Sequence, residues 1–147
     1  MEAYRAPADD LSMCVGVTYT LGSRDMRVLF SNKTAQLPVQ MKDDITLMPW
    51  GRRPKQTGKL PLGGCAYLDA IHAGNWERYA PKGVRLWVKS FAEQDVEGRV
   101  HWHEITAGKW VKGLVAQEGM ERRVYVVTLT PVLFETPYER WPCIQSG

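Results

Sequence analysis

Three cysteines, a histidine pair and one short basic run hold most of the chemistry available to this 147-residue chain. His101 and His103 stand at i and i+2, a spacing that puts both imidazoles on one face of a β-strand, with Glu104 beside them. Two such rings can share a metal ion, but a zinc-type site takes three or four protein ligands. Neither His72 nor a cysteine stands at a spacing that completes one. No metal and no cofactor is therefore expected, and the pair is read as packing about Trp102. Cys14, Cys65 and Cys143 include no C-x-x-C pair and are odd in number, which argues against a zinc site or a disulfide framework; reduced thiols are expected. Arg52, Arg53, Lys55 and Lys59 crowd a Gly- and Pro-containing stretch, and no acidic residue lies between Asp44 and Asp69. Such a loop suits phosphates. Trp50, next to Gly51-Arg52-Arg53, is the tryptophan best placed to stack on a base. No Ser/His/Asp order, phosphate-cradling glycine loop or dinucleotide fingerprint is present.

These groups have to be positioned by a small fold. A chain of this length has room for one domain with one core. Its 44% apolar content is that of a folded globular protein, and no apolar run reaches the ~18 residues of a membrane span. Residues 1–12 are polar and partly acidic, without the apolar stretch of a secretory signal. They are read as a flexible extension before a single domain at 13–147, and the location is read as cytoplasmic. The net charge of +3 is too small to identify a polyanion partner by itself.

The alternation of Val15, Val17 and Tyr19 predicts a strand ended by a turn at Gly22-Ser23. Further extended segments are expected at residues 28–30, 45–48, 85–89, 100–105, 110–116 and 124–129, with Ala107-Gly108 as a hairpin turn and 52–64 as a loop. Leu68, Ile71, His72, Trp76 and Tyr79 recur at helical spacing, weakened at Gly74. Thr136-Pro137-Tyr138-Glu139 has the capping-box spacing of a helical turn. The fold class is thus α+β, a strand-rich single domain with a few short helices.

Several segments also fall in a recognisable order. Met13-Cys14-Val15-Gly16 opens the first strand, and Trp50-Gly51 is followed after the basic loop by Cys65-Ala66-Tyr67-Leu68-Asp69-Ala70. Ser90-Phe91-Ala92-Glu93-Gln94 comes next, then Val126-Val127-Thr128 and Pro137-Tyr138-Glu139-Arg140-Trp141-Pro142. In that order they resemble the SOS-response-associated peptidase (SRAP) family. Its members open with Met-Cys-Gly-Arg and carry Trp-Gly, Asn-Ala-Arg-x-Glu-Thr, Gly-Phe-Tyr-Glu-Trp, Val-Val-Thr and Ile-His-Asp-Arg-Met-Pro motifs. The resemblance spans residues 13–142 and implies a mixed, barrel-like β-sheet. In this register Cys14 and Glu93 are kept, while Cys65 replaces an asparagine, Tyr67 an arginine and Tyr138 a histidine.

What the resemblance implies is a monomeric protein that binds single-stranded DNA, abasic DNA above all, with no membrane partner. The α-amine of an N-terminal Cys14 would form a Schiff base with the sugar aldehyde, and its thiol would close a thiazolidine ring. Amine and thiol on one residue leave little entropy to lose in closing the ring. An α-amine of pKa about 7.7–8.0 is substantially unprotonated near neutrality. Glu93 would serve as general acid/base, with Tyr138 and Cys65 at the other catalytic positions and Tyr67 joining Trp50 and the basic loop on the DNA. The alternative is a catalytically degenerate DNA- or protein-binding module on the same scaffold. While residues 1–13 are attached, the Cys14 nitrogen is an amide and cannot make a Schiff base. The working form is expected to begin at Cys14, by initiation at Met13 and methionine removal or by self-cleavage of the leader. Intact-mass spectrometry of protein expressed from the native gene checks this; a population beginning only at Met1 or Glu2 would count against covalent chemistry.

Overall fold

The computed structural model describes residues 15–130 and 141–146. Alternating apolar residues and tight turns build a fold with 57% strand and 7% helix, which makes it mostly β. Strand β1 (Gly16–Leu21) turns at Gly22, whose φ of 63° suits a residue without a Cβ, into β2 (Arg24–Leu29). Strands β3 (Gln36–Met41) and β4 (Asp44–Pro49) form a second hairpin across Lys42. After the 52–64 loop come β5 (Cys65–Tyr67), helix α1 (Leu68–His72), a 3-10 turn (Glu77–Tyr79) and β6 (Lys82–Leu86). Strands β7 (Ser90–Gln94), β8 (Val100–Glu104), β9 (Lys109–Glu118), β10 (Glu121–Leu129), β11 (Trp141–Pro142) and β12 (Ile144–Ser146) complete the described chain.

The strands form two sheets, β2-β1-β7-β8 and β11-β10-β9-β6-β3-β4, with β12 added to β9 and β5 to β10. Neither closes on itself, so open sheets replace the barrel-like arrangement expected. Between them lies a core of Val17, Phe30, Leu37, Trp50, Leu86, Phe91, Val111, Val126 and their neighbours. A second cluster, Leu60, Trp76, Leu114, Tyr125 and Val127 among them, fills the space under α1 on the far face of the larger sheet. Strand β10 is therefore buried on both faces, which explains the unbroken apolar run Val124-Tyr125-Val126-Val127. No helix among the described residues is long and apolar enough to cross a membrane.

Three local expectations change. The helical pattern at residues 68–79 yields only α1 and the 3-10 turn, because the chain takes φ 86° at Gly74. Ala107-Gly108 is no hairpin turn: β8 pairs with β7 and β9 with β6, β10 and β12, so the chain passes there from one sheet to the other. Strand β3 was hidden by Pro38 in the middle of its Leu37/Val39/Met41 alternation. The helical turn expected at Thr136–Glu139 lies outside the described residues.

Gly51 enters the loop at φ 57°, and a Cβ there would sit 2.1 Å from the Gly63 carbonyl oxygen. Gly51→Ala combines left-handed strain with a backbone clash and is expected to destabilise the fold by roughly 2 kcal/mol or more. Urea denaturation measures it; an unchanged midpoint would mean that this bend is not rigidly held.

Candidate functional site

Glu93 is a carboxyl group where hydrophobic side chains belong. Strand β7 lies inside the smaller sheet, between β1 and β8, and its alternation aims Phe91 and Glu93 at the core. Glu93 is only 2% exposed and borders a cavity of about 10 Å3 with Val17, Leu37, Trp50, Leu86 and Val111. That volume holds one water at most. Its Oε1 has no hydrogen-bond partner among the described residues. Burial pushes the Glu93 pKa up to about 9, because desolvation penalises the ionised form. At neutral pH the group is thus a neutral carboxylic acid, a proton donor held in an apolar enclosure.

Other groups pack around strand β7 outside this enclosure. Val15 donates its N–H to the Ala92 carbonyl at 3.2 Å, which brings the chain just after Cys14 against the strand that carries Glu93. Phe91 packs edge-on against Trp141 at 5.0 Å and beside His103 at 5.3 Å between ring centroids. Burial, and then the charge of His101, lower the His103 pKa, so this imidazole favours its neutral form. His101 and Asp95 approach to 2.8 Å, and Asp95 also accepts the N–H groups of Glu97 and Arg99 at 2.9 Å each. The pair thereby holds the β7–β8 turn. No group of three or more His, Cys, Asp or Glu suited to a metal occurs among the described residues.

The basic loop is used differently from the expectation. Arg52 donates Nε to the Leu60 carbonyl at 2.6 Å and Nη1 to that of Gln56 at 2.7 Å. Arg53 donates Nε to the Phe30 carbonyl at 2.8 Å and Nη1 to that of Trp50 at 2.7 Å, and lies 3.9 Å over the Phe30 ring. Desolvation, and then the Arg123 charge, lower the Arg53 pKa to about 10. Both guanidinium groups are therefore tied to backbone carbonyls, Arg52 within the loop and Arg53 to the chain before it, instead of facing a phosphate. Trp50 is fully buried and donates Nε1 to the Gly64 carbonyl at 3.1 Å, so it is a core residue and no base-stacking platform. Lys55 and Lys59 remain exposed.

Tyr67 and Cys65 come together at a depression of about 150 Å3 bordered by Leu62, Ala70 and Trp76. Cys65 is disulfide-bonded, not the reduced thiol expected, since proximity in the fold is invisible in cysteine spacing. Cys143 is the free thiol among the described residues, and it is buried. Cys14 and Tyr138 lie outside the described residues. No family model, curated protein or solved structure matches this chain.

A cluster that the sequence reading missed lies on the larger sheet, where Lys42, Lys82, Arg85 and Lys112 border one groove. Its members are far apart in sequence, and the register that sets Arg85 against Lys112 leaves no local signal.

The raised pKa has a consequence for stability. An unfolded glutamate releases its proton near 4.5, whereas folded Glu93 holds it to about 9. Between those values the folded state binds the extra proton, so stability falls as pH rises, by up to about 1.4 kcal/mol per pH unit. Glu93→Gln, neutral throughout, is expected to flatten that part of the curve and to exceed the parent in stability at mildly alkaline pH. Urea melts across this window test it. Parallel curves for the two proteins would show that another group carries the pH dependence.

Proposed function

We propose that the chain is a divergent SRAP-type protein of single-stranded DNA, which captures abasic sites covalently through an N-terminal Cys14 after loss of its leader. The observation that carries this reading is the buried, protonated Glu93 on the strand to which Val15, the residue after Cys14, is hydrogen-bonded. A neutral acid there suits the step that most needs one. The Cys14 amine adds to the aldehyde carbon to give a carbinolamine. Glu93 protonates its hydroxyl, water leaves, and the nitrogen of the resulting iminium returns its proton to Glu93 as the imine forms. The thiol sulfur then bonds to the imine carbon while its proton passes to nitrogen, giving the thiazolidine with net loss of one water. An enclosed carboxyl of raised pKa is the form in which a glutamate can act as acid near neutrality.

The second reading, a binding module that kept the scaffold, is favoured by Cys65. A disulfide-bonded sulfur supplies neither the donor nor the acceptor of an amide at that position. With Cys143 free in a chain of three cysteines, the covalent reading requires that bond to be reduced before a Cys14 thiol can act.

The test uses protein trimmed to begin at Cys14, kept under reductant, and single-stranded DNA bearing one abasic site. A heat-stable adduct is expected. Cys14→Ala should abolish it while leaving a borohydride-trappable Schiff base, and Glu93→Gln should slow it by roughly 10²-fold. Tyr138→His with Cys65→Asn should speed it. No adduct from the trimmed protein, with no rescue by the double replacement, would leave the binding-module reading.

A further inference from the structure

Arg85 on β6 stands directly opposite Lys112 on β9, and like charges so placed are destabilising unless something neutralises them. Lys82 on β6 and Lys42, in the turn after β3, border the same groove of about 850 Å3. The Arg85 guanidinium lies over the Trp110 ring, 4.7 Å from its centroid. Among the described residues no carboxylate borders this groove, and none of the four cations makes an ion pair. Leu86 and Val111, the next pair in the same register, border the Glu93 cavity instead. The basic groove and the buried carboxyl are thus on opposite faces of one sheet.

We propose that this groove is a separate, lesion-independent surface that takes the phosphate backbone of single-stranded nucleic acid. Four cations bordering one groove, none of them in an ion pair among the described residues, concentrate a polyanion, whose condensed counterions are released as these side chains replace them on the phosphates. The Arg85–Trp110 stack adds a flat, cationic platform suited to an unpaired base, which an acidic peptide would leave unused. The surface does not rest on covalent chemistry at Cys14, since a strand without an aldehyde meets the same charges. It also reassigns strand binding from the self-bonded Arg52 and Arg53 to residues on the sheet.

Fluorescence anisotropy of the full chain with a short labelled single strand free of abasic sites tests this apart from adduct formation. Four neutralised phosphates predict that a fourfold rise in salt weakens binding about 50-fold. Replacing two of the four cations, Lys82→Gln with Lys112→Gln, should weaken binding at low salt by about tenfold or more and roughly halve the salt slope. Arg24→Glu with Lys33→Glu, exposed on other elements, should change binding by less than about twofold if the groove is the site. Trp110→Leu should reduce affinity for the single strand while leaving a duplex of equal length unaffected. Equal losses in groove and control variants would overturn the proposal, as would competition by polyglutamate as effective as that by unlabelled strand. Failure of these predictions with adduct formation intact would remove this surface alone.

Discussion

The burial of Trp50 organises much of this fold. An indole removed from water needs a partner for its one N–H, and Trp50 finds it in the Gly64 carbonyl, across the loop that follows it. The ring meets Phe30 edge-on at 5.2 Å, while its backbone N–H donates to the Ala35 carbonyl and its own carbonyl accepts from Arg53. A bridge to Val124 adds the long β10 strand. One residue thereby ties the smaller sheet's connection, the basic loop and the larger sheet together. A Cβ at Gly64 would come within 2.8 Å of the Trp50 Nε1, so the close approach of chain and ring also requires a glycine at that point.

The same constraint gives the loop its chemistry. Arg53 is held over Phe30 by burial and by carbonyl oxygens, and Arg123 nearby donates to the Gly51 carbonyl and to Glu121. Glu121 in turn accepts the N–H groups of Lys59 and Leu60. A stretch that reads as a cationic surface is in effect a backbone-satisfying network, since buried carbonyls must find donors. Charge count along the chain does not reveal which guanidinium groups have already been used.

The larger sheet separates two environments by the period of two along its strands. One face of β6 and β9 carries Leu86 and Val111 toward the core and the enclosed Glu93; the other carries Arg85, Trp110 and Lys112 toward water. A slip of one residue in the β6–β9 register would exchange the two faces. Glu93 itself is tolerated because it keeps its proton, which avoids the far larger cost of a buried unpaired charge.

Read alone, the sequence determined the strand-rich character, the positions of β1, β4, β8, β9 and β10 and the turn at Gly22, since period-two alternation and glycine punctuation are local properties; it left β3, β5 and β7 unmarked. It also singled out Glu93, although through motif order, with nothing local to show its burial. Tertiary structure decided what neighbours decide. It paired β8 with β7 and not with β9, cut the 68–79 helical pattern to a short helix and a 3-10 turn, and buried Trp50. It engaged Arg52 and Arg53 internally and bonded Cys65 in a disulfide. It also assembled a basic groove from residues as distant in sequence as Lys42 and Lys112. The physical reason is common to all of these: burial, pKa and charge clustering depend on which segments meet in space, and sheet pairing between distant strands leaves only a faint trace in either strand alone.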